Sequence, residues 1–250
     1  MKVGIIQLDI VWEKKEENFK KVATFIEKAG NVDLIVLPEM FNTGFTMNTN
    51  LAEQRGGITE QFLSKIASSL KLKILAGYSL NNNGKIYNIA SLFNEDGSIY
   101  CTYAKIHLFS PLKENIFYQS GEKPVIFQIN QIPCSVFICY DLRFPELFRK
   151  IAKDVNVIFL IANWPSARDD HWLCLLRARA IENQCYILGV NRVGKDENGI
   201  IYTGHSAVFD PWGNQIFLAN EKDGLYIVNI EINKVIETRK NFPFLEDKKF

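Results

Sequence analysis

Cysteine, histidine and long apolar runs are all scarce in this chain, and each scarcity closes off a class of protein. Five cysteines stand among 250 residues, at Cys101, Cys134, Cys139, Cys174 and Cys185. The number is odd and no pair has the Cys-x-x-Cys spacing, so a disulfide framework is excluded and a reducing compartment is expected. Only three histidines occur, His107, His171 and His205. His171 and Cys174 would share a helix face, yet no further ligand type accompanies them, so no metal site and no cofactor is expected. The longest uncharged apolar stretch, around Val155 to Trp164, falls well short of the roughly 20 residues that a membrane-spanning helix needs. The segment from Met1 to Leu8 enters a strand pattern directly, with none of the features of a secretory leader. A charge excess is missing as well. With 29 basic and 28 acidic residues the formal net charge is +1, so no global field draws in nucleic acid or an anionic membrane. These absences predict a cytoplasmic protein that acts on a small molecule, with neither nucleic acid nor membrane as partner.

What the chain does have is apolar material: 47% of its residues are hydrophobic, enough for a substantial core. Runs rich in valine, isoleucine and leucine predict strands at Val3 to Ile10, Val32 to Leu37, Ile74 to Tyr78, Ser135 to Cys139 and Val155 to Ile161. Amphipathic spacing predicts helices at Lys14 to Lys28, Thr59 to Leu70, Leu142 to Lys153 and Asp169 to Asn183, the last capped by Asp169 or Asp170. Asn81 to Gly84, Asn94 to Gly97 and Asp210 to Asn214 read as hairpin turns. Helix-connected strands interleaved with hairpins imply an α/β protein with a mixed sheet or two packed sheets, helices outside. No repeat or linker interrupts it, so residues 1–250 read as a single domain.

Three reactive side chains stand where an apolar run ends. Glu39 follows Val32 to Pro38, Lys105 follows Ser98 to Ala104, and Cys139 follows Ser135 to Ile138. Strand ends face the crevices in which α/β proteins bind ligands. A lone cysteine in an apolar run is by default core filler, so only its partners give it a chemical reading. The surrounding motifs supply them. Leu37-Pro38-Glu39-Met40, Lys105-Ile106-His107-Leu108-Phe109 and Cys139-Tyr140-Asp141-Leu142-Arg143-Phe144-Pro145, in that order, resemble the nitrilase superfamily of carbon-nitrogen hydrolases. Ala162-Asn163-Trp164-Pro165, Arg177 to Gln184 and Asn191-Arg192-Val193-Gly194 extend the resemblance over nearly the whole chain, most closely to the omega-amidase-like branch.

This resemblance implies a four-layer α-β-β-α sandwich with Glu39, Lys105 and Cys139 as a catalytic triad and Glu114 beside it. Cys139 would attack an amide carbon, Glu39 would take the thiol proton, and Lys105 with the backbone N–H of Tyr140 would hold the oxyanion. The implied substrate is a short carboxylate-bearing amide such as 2-oxoglutaramate or 2-oxosuccinamate, hydrolysed through a Cys139 thioester. A free carboxylate calls for arginine. Arg168 is the first candidate, Trp164 an aromatic wall, Arg143 a second arginine that an internal salt bridge would occupy, and Tyr118 and His205 further pocket residues. The resemblance also implies a homodimer built through Leu142 to Lys153, Asp169 to Asn183 and the tail from Glu231. Aliphatic amidases, N-carbamoyl amidases and nitrilases share the same triad and stay open as alternatives. More remote are a Cys-His hydrolase using one of the three histidines and a non-catalytic binding protein of the same fold.

Overall fold

Where both faces of a strand are covered, its sequence is continuously apolar; where one face meets a helix and the other a second sheet, alternate residues divide between them. Both patterns occur in this chain. The computed structural model describes residues 1–249. In chain order they form β1 (Lys2–Gln7), α1 (Lys15–Ile26), β2 (Leu34–Val36), α2 (Ile58–Leu70), β3 (Lys73–Asn82), β4 (Lys85–Phe93), β5 (Ile99–Ala104), α3 (Glu114–Phe117), β6 (Ile126–Ile129) and β7 (Ile132–Ile138). They continue as α4 (Pro145–Ile151), β8 (Val157–Ala162), α5 (Asp169–Asn183), β9 (Tyr186–Asn191), β10 (Val193–Lys195), β11 (Ile201–Thr203), β12 (Ala207–Phe209), β13 (Gln215–Leu218), β14 (Gly224–Asn229) and α6 (Asn233–Asn241).

Two six-stranded sheets carry the fold, in the orders β14-β1-β2-β3-β4-β5 and β13-β12-β9-β8-β7-β6, with β10 and β11 as a separate ribbon. Each sheet has a parallel centre, β1-β2-β3 in one and β7-β8-β9 in the other, flanked by antiparallel strands. Val3, Ile5, Leu34, Val36 and Leu75 from the first sheet share one core with Val136, Ile138, Phe159 and Ile161 from the second. On the outer face of the first sheet, Ile6, Ile35, Ile74 and Ala76 pack with Val22 and Ile26 of α1 and Leu63 and Ala67 of α2. Helices α4 and α5 cover the second sheet through Phe148, Ile151, Trp172, Leu176 and Ala180. The result is the four-layer sandwich. Fully burying aliphatic and aromatic side chains of this kind contributes about 1.5–3 kcal/mol each.

The three expected hairpins are present: β3–β4, β4–β5 and β12–β13 pair antiparallel across the expected turns. In the first, Asn83 and Gly84 have φ of 53° and 86°, the left-handed pair that a two-residue hairpin requires.

Three local expectations are corrected. The strand expected to end at Cys139 ends at Ile138, and Cys139 to Arg143 form a short 3-10 turn. Accordingly α4 begins at Pro145 rather than Leu142, because proline suits a first helical turn and breaks any helix before it. Helix α5 spans the expected residues, but its N-cap position is Arg168, with no side-chain cap. Asp169 is already helical, and its carboxylate instead accepts hydrogen bonds from Thr203 and pairs with His205. Among the described residues no helix is long and apolar enough to cross a membrane.

Candidate active site

Glu39, Lys105 and Glu114 are all 0% exposed and lie together. Glu39 leaves the carboxyl end of β2, and its seat depends on a glycine across the sheet. A Cβ at Gly77 would stand 2.7 Å from the Glu39 Cα and 2.9 Å from the Pro38 carbonyl. Lys105 leaves β5, with its backbone N–H donated to the Asn88 carbonyl. The Lys105 ammonium donates to Glu39 Oε1 at 3.0 Å and to Glu114 Oε1 and Oε2 at 3.1 and 2.9 Å. Asn88, inward-facing on β4, donates through Nδ2 to Glu39 Oε1 at 2.7 Å and to Glu114 Oε1 at 2.9 Å. Glu39 Oε2 accepts the Asn163 N–H at 2.8 Å, and Glu114 Oε2 accepts the Phe109 N–H at 2.6 Å.

Cys139 opens the turn after β7 with φ of 46°, a left-handed conformation that L residues adopt only under constraint. Such strain costs about 1–3 kcal/mol and collects at functional sites. Asp141 enforces it. This buried carboxylate accepts the Ile138 N–H at 3.1 Å, the Tyr103 hydroxyl at 2.7 Å and the His107 N–H at 2.9 Å, with the His107 ring at 2.8 Å. One side chain thereby ties the Cys139 turn to the segment just after Lys105. The Cys139 Sγ lies 3.9 Å from the Asn163 carbonyl.

Above Cys139 opens a cavity of about 470 Å³ whose lining includes Phe45, Phe109, Asn163, Trp164, Ile200 and Tyr202. Arg143 and Arg168 also line it. The Arg143 guanidinium sits 4.8 Å from the Trp164 ring centre and that of Arg168 5.6 Å from the Phe109 ring centre. Placement over an aromatic face holds a guanidinium without consuming its hydrogen-bonding edge; Arg143 in addition reaches the His171 Nδ1 at 3.3 Å.

The sequence model for carbon-nitrogen hydrolases matches residues 2–240. The chain belongs to this family. A 2-oxoglutaramate amidase of Bacillus subtilis is 35% identical to the hydrolase, with 98% of this chain and 96% of the relative covered. An omega-amidase of Escherichia coli is 33% identical, covering 99% and 96% respectively. Among solved structures, a CN-hydrolase superfamily protein of Xanthomonas campestris superposes with a TM-score of 0.96 at 31% identity, covering 100% of this chain and 97% of that one. That structure carries an arsenic adduct in its active site.

Within the hydrolase, electrostatics follow from burial and neighbours. Burial pushes the Cys139 thiol well up, Glu39 adds to the rise and Lys105 opposes it. Burial alone would push the Lys105 ammonium down, but Glu114 and Glu39 outweigh it and hold the group above its ordinary value. Glu114 is raised by burial, against the pull of Lys105.

Two expected pocket residues stand elsewhere. Tyr118 is buried behind the site, its hydroxyl donated to the Thr46 carbonyl at 2.8 Å, and does not line the cavity. His205 is likewise absent from the lining, because its Nδ1 is held by Asp169 at 2.7 Å. Arg143, expected in an internal salt bridge, forms none among the described residues; it faces the cavity and lies 3.3 Å from the His171 Nδ1. His107 belongs to Asp141, and stacks on Phe144 at 3.7 Å. Sequence reasoning missed Asn88, Phe45 and Tyr202, and quoted Asn163 without a role. For Asn88 a signal existed, a lone amide inside the apolar run Ile86 to Leu92. Phe45 sits in an irregular segment and Tyr202 in the three-residue strand β11, and neither carried one.

Proposed function

We propose that this hydrolase is an omega-amidase that cleaves the terminal amide of a short 2-oxo acid, of the 2-oxoglutaramate or 2-oxosuccinamate class, to the carboxylate and ammonia. The observation that carries the reading is a buried Glu39–Lys105–Glu114 cluster beside Cys139, which lines a cavity whose walls hold two arginines that lie over aromatic rings and, among the described residues, have no carboxylate partners. The activities named for the Bacillus subtilis and Escherichia coli relatives support it. Arg168, with Arg143 in the same cavity lining, recognises the free carboxylate, and Trp164 forms an aromatic wall.

Burial and Glu39 favour the protonated form of the Cys139 thiol, so attack calls for a base. Glu39 takes the proton as sulfur bonds to the amide carbon. The carbonyl electrons move to oxygen, and the oxyanion is met by the Lys105 ammonium and the Tyr140 N–H. Each such donor contributes about 3–4 kcal/mol to transition-state stabilisation. Glu39 then returns its proton to the amide nitrogen as the carbon-nitrogen bond breaks, since ammonia leaves and amide ion does not. Cys139 now carries a thioester. Water gives a proton to Glu39 and attacks, a second oxyanion forms in the same place, and its collapse expels the thiolate, which recovers the proton. Glu114 keeps Lys105 charged and in place throughout.

A homodimer is part of the same reading. Ile181 on α5 is 42% exposed, and Trp212 and Phe242, both 52% exposed, stack with ring centres 6.0 Å apart. A contiguous apolar patch of this kind marks an interface.

The deciding experiment measures ammonia release from 2-oxoglutaramate, 2-oxosuccinamate, glutaramate, glutamine, N-carbamoyl amino acids and simple nitriles. The 2-oxo acid amides are expected to show the highest kcat/KM. A preference for nitriles or carbamoyl compounds would overturn the assignment.

A further inference from the structure

We infer that Asn88 is a positioning residue that dictates which oxygen of Glu39 accepts the thiol proton. The reasoning rests on reading Cys139 as nucleophile and Glu39 as base, and counts acceptor positions. A carboxylate oxygen has two lone pairs. Glu39 Oε1 receives Asn88 Nδ2 at 2.7 Å and Lys105 Nζ at 3.0 Å, and so is filled. Glu39 Oε2 receives one well-formed hydrogen bond, from the Asn163 N–H at 2.8 Å. The Asn163 amide is 3.4 Å from Oε2, beyond the usual N–H···O range, and makes its short bond, at 2.6 Å, to the Glu39 carbonyl instead. The open lone pair is therefore on Oε2, the oxygen held by the segment whose carbonyl meets the Cys139 sulfur.

Asn88 has a second consequence for Lys105. All three ammonium hydrogens are engaged at rest, one on Glu39 and two on Glu114. Donating to an oxyanion means withdrawing one of them. The longest contact is to Glu114 Oε1, at 3.1 Å, and that oxygen keeps the Asn88 donor at 2.9 Å when Lys105 turns away. A single buried amide thus lets two acids and one ammonium exchange partners without exposing an unpaired charge. An aspartate of the same shape could do neither, because it would bring a third carboxylate to two others.

The test uses Asn88→Ala and Asn88→Ser, with the pH dependence of Cys139 alkylation by iodoacetamide as the main readout and the pH profile of kcat/KM beside it. Alkylation needs no amide substrate. A wrong substrate assignment therefore leaves this measurement intact, and the two ideas can fail separately. In Asn88→Ala the proton gains access to Oε1, so alkylation near neutral pH is expected to slow by about 10- to 100-fold, a part of the roughly 100- to 10,000-fold that a positioned base supplies in full. Loss of a donor to the carboxylate also disfavours its charged form, so the acidic limb moves to higher pH. Asn88→Ser retains one hydroxyl donor and should fall between. Should the alanine variant fail to fold, the serine variant decides alone. A folded variant with the wild-type alkylation rate and acidic limb would overturn the inference and leave Asn88 a structural residue.

Discussion

At the scale of single residues, the site is a problem of placing charge where water cannot reach it. Two buried carboxylates face one ammonium, and the sum is tolerable only because Asn88, Asn163 and the Phe109 N–H complete the hydrogen bonding. Cys139→Ala is expected to lower ammonia release on the order of 10,000-fold or more, with an unchanged unfolding midpoint, since the φ of 46° persists in either residue. Arg168→Gln should raise KM for a carboxylate-bearing amide by about 10- to 100-fold, the worth of a charged hydrogen bond, with kcat little altered. An unchanged KM in steady-state assays would remove Arg168 from substrate recognition. Glu39, Lys105 and Cys139 were legible in the sequence because each ends an apolar run inside a motif that resembles the nitrilase superfamily, whereas the run ends alone would have left them as loop charges and core filler. Tyr118 and His205 were misread because proximity in a motif does not say whether a side chain faces a cavity or a neighbour.

Elements supply the rigidity that the residues need. Glu39 and Cys139 leave the carboxyl ends of parallel strands in opposite sheets, and the sheets meet through a shared core. Gly77 shows how tightly. Gly77→Ala would put a methyl group 2.7 Å from the Glu39 Cα; overpacking of this kind costs about 1–3 kcal/mol, and kcat should fall with the unfolding midpoint. A lowered midpoint without a lowered kcat, in parallel thermal and kinetic measurements, would show that Glu39 tolerates the shift. Asp210, at the β12–β13 turn, pairs with Lys234 of α6 and accepts the Trp212 and Asn214 N–H groups. Burial raises its carboxyl, but Lys234 and Asn214 outweigh that and hold it below the ordinary value of 3.8. Its contribution to stability is therefore full above that value and lost as pH falls through the lower folded-state value. In acid titrations followed by circular dichroism, Asp210→Asn should lose less stability than wild type between pH 5 and pH 2, roughly the window for such a group.

For the whole molecule, the alternation of helix-linked and hairpin-linked strands left a mixed sheet and two packed sheets both open, the resemblance to the nitrilase superfamily implied the four-layer sandwich, and the expected hairpins and layers are present. Element ends were less legible, because capping is decided by neighbours. Asp169 has the chemistry of an N-cap, yet His205 and Thr203 lie within its reach and take its oxygens. The exposed patch of Ile181, Trp212 and Phe242 belongs to this scale too. Sedimentation equilibrium at micromolar concentration is expected to give a dimer, and Trp212→Glu with Phe242→Glu a monomer. A wild-type monomer would mean that the patch is not a self-association surface.

The sequence by itself carried the family through its local motifs, the layer architecture and the three candidate side chains through that family resemblance, and the strands, helices and hairpin turns through hydrophobic periodicity and turn residues. Which groups surround those side chains was decided by tertiary structure alone. Asn88 reaches Glu39 and Glu114 from 49 and 26 residues away, and Asn163 reaches Glu39 from 124. Hydrogen bonding and burial act across space, and the spacing of residues along the chain carries no record of them.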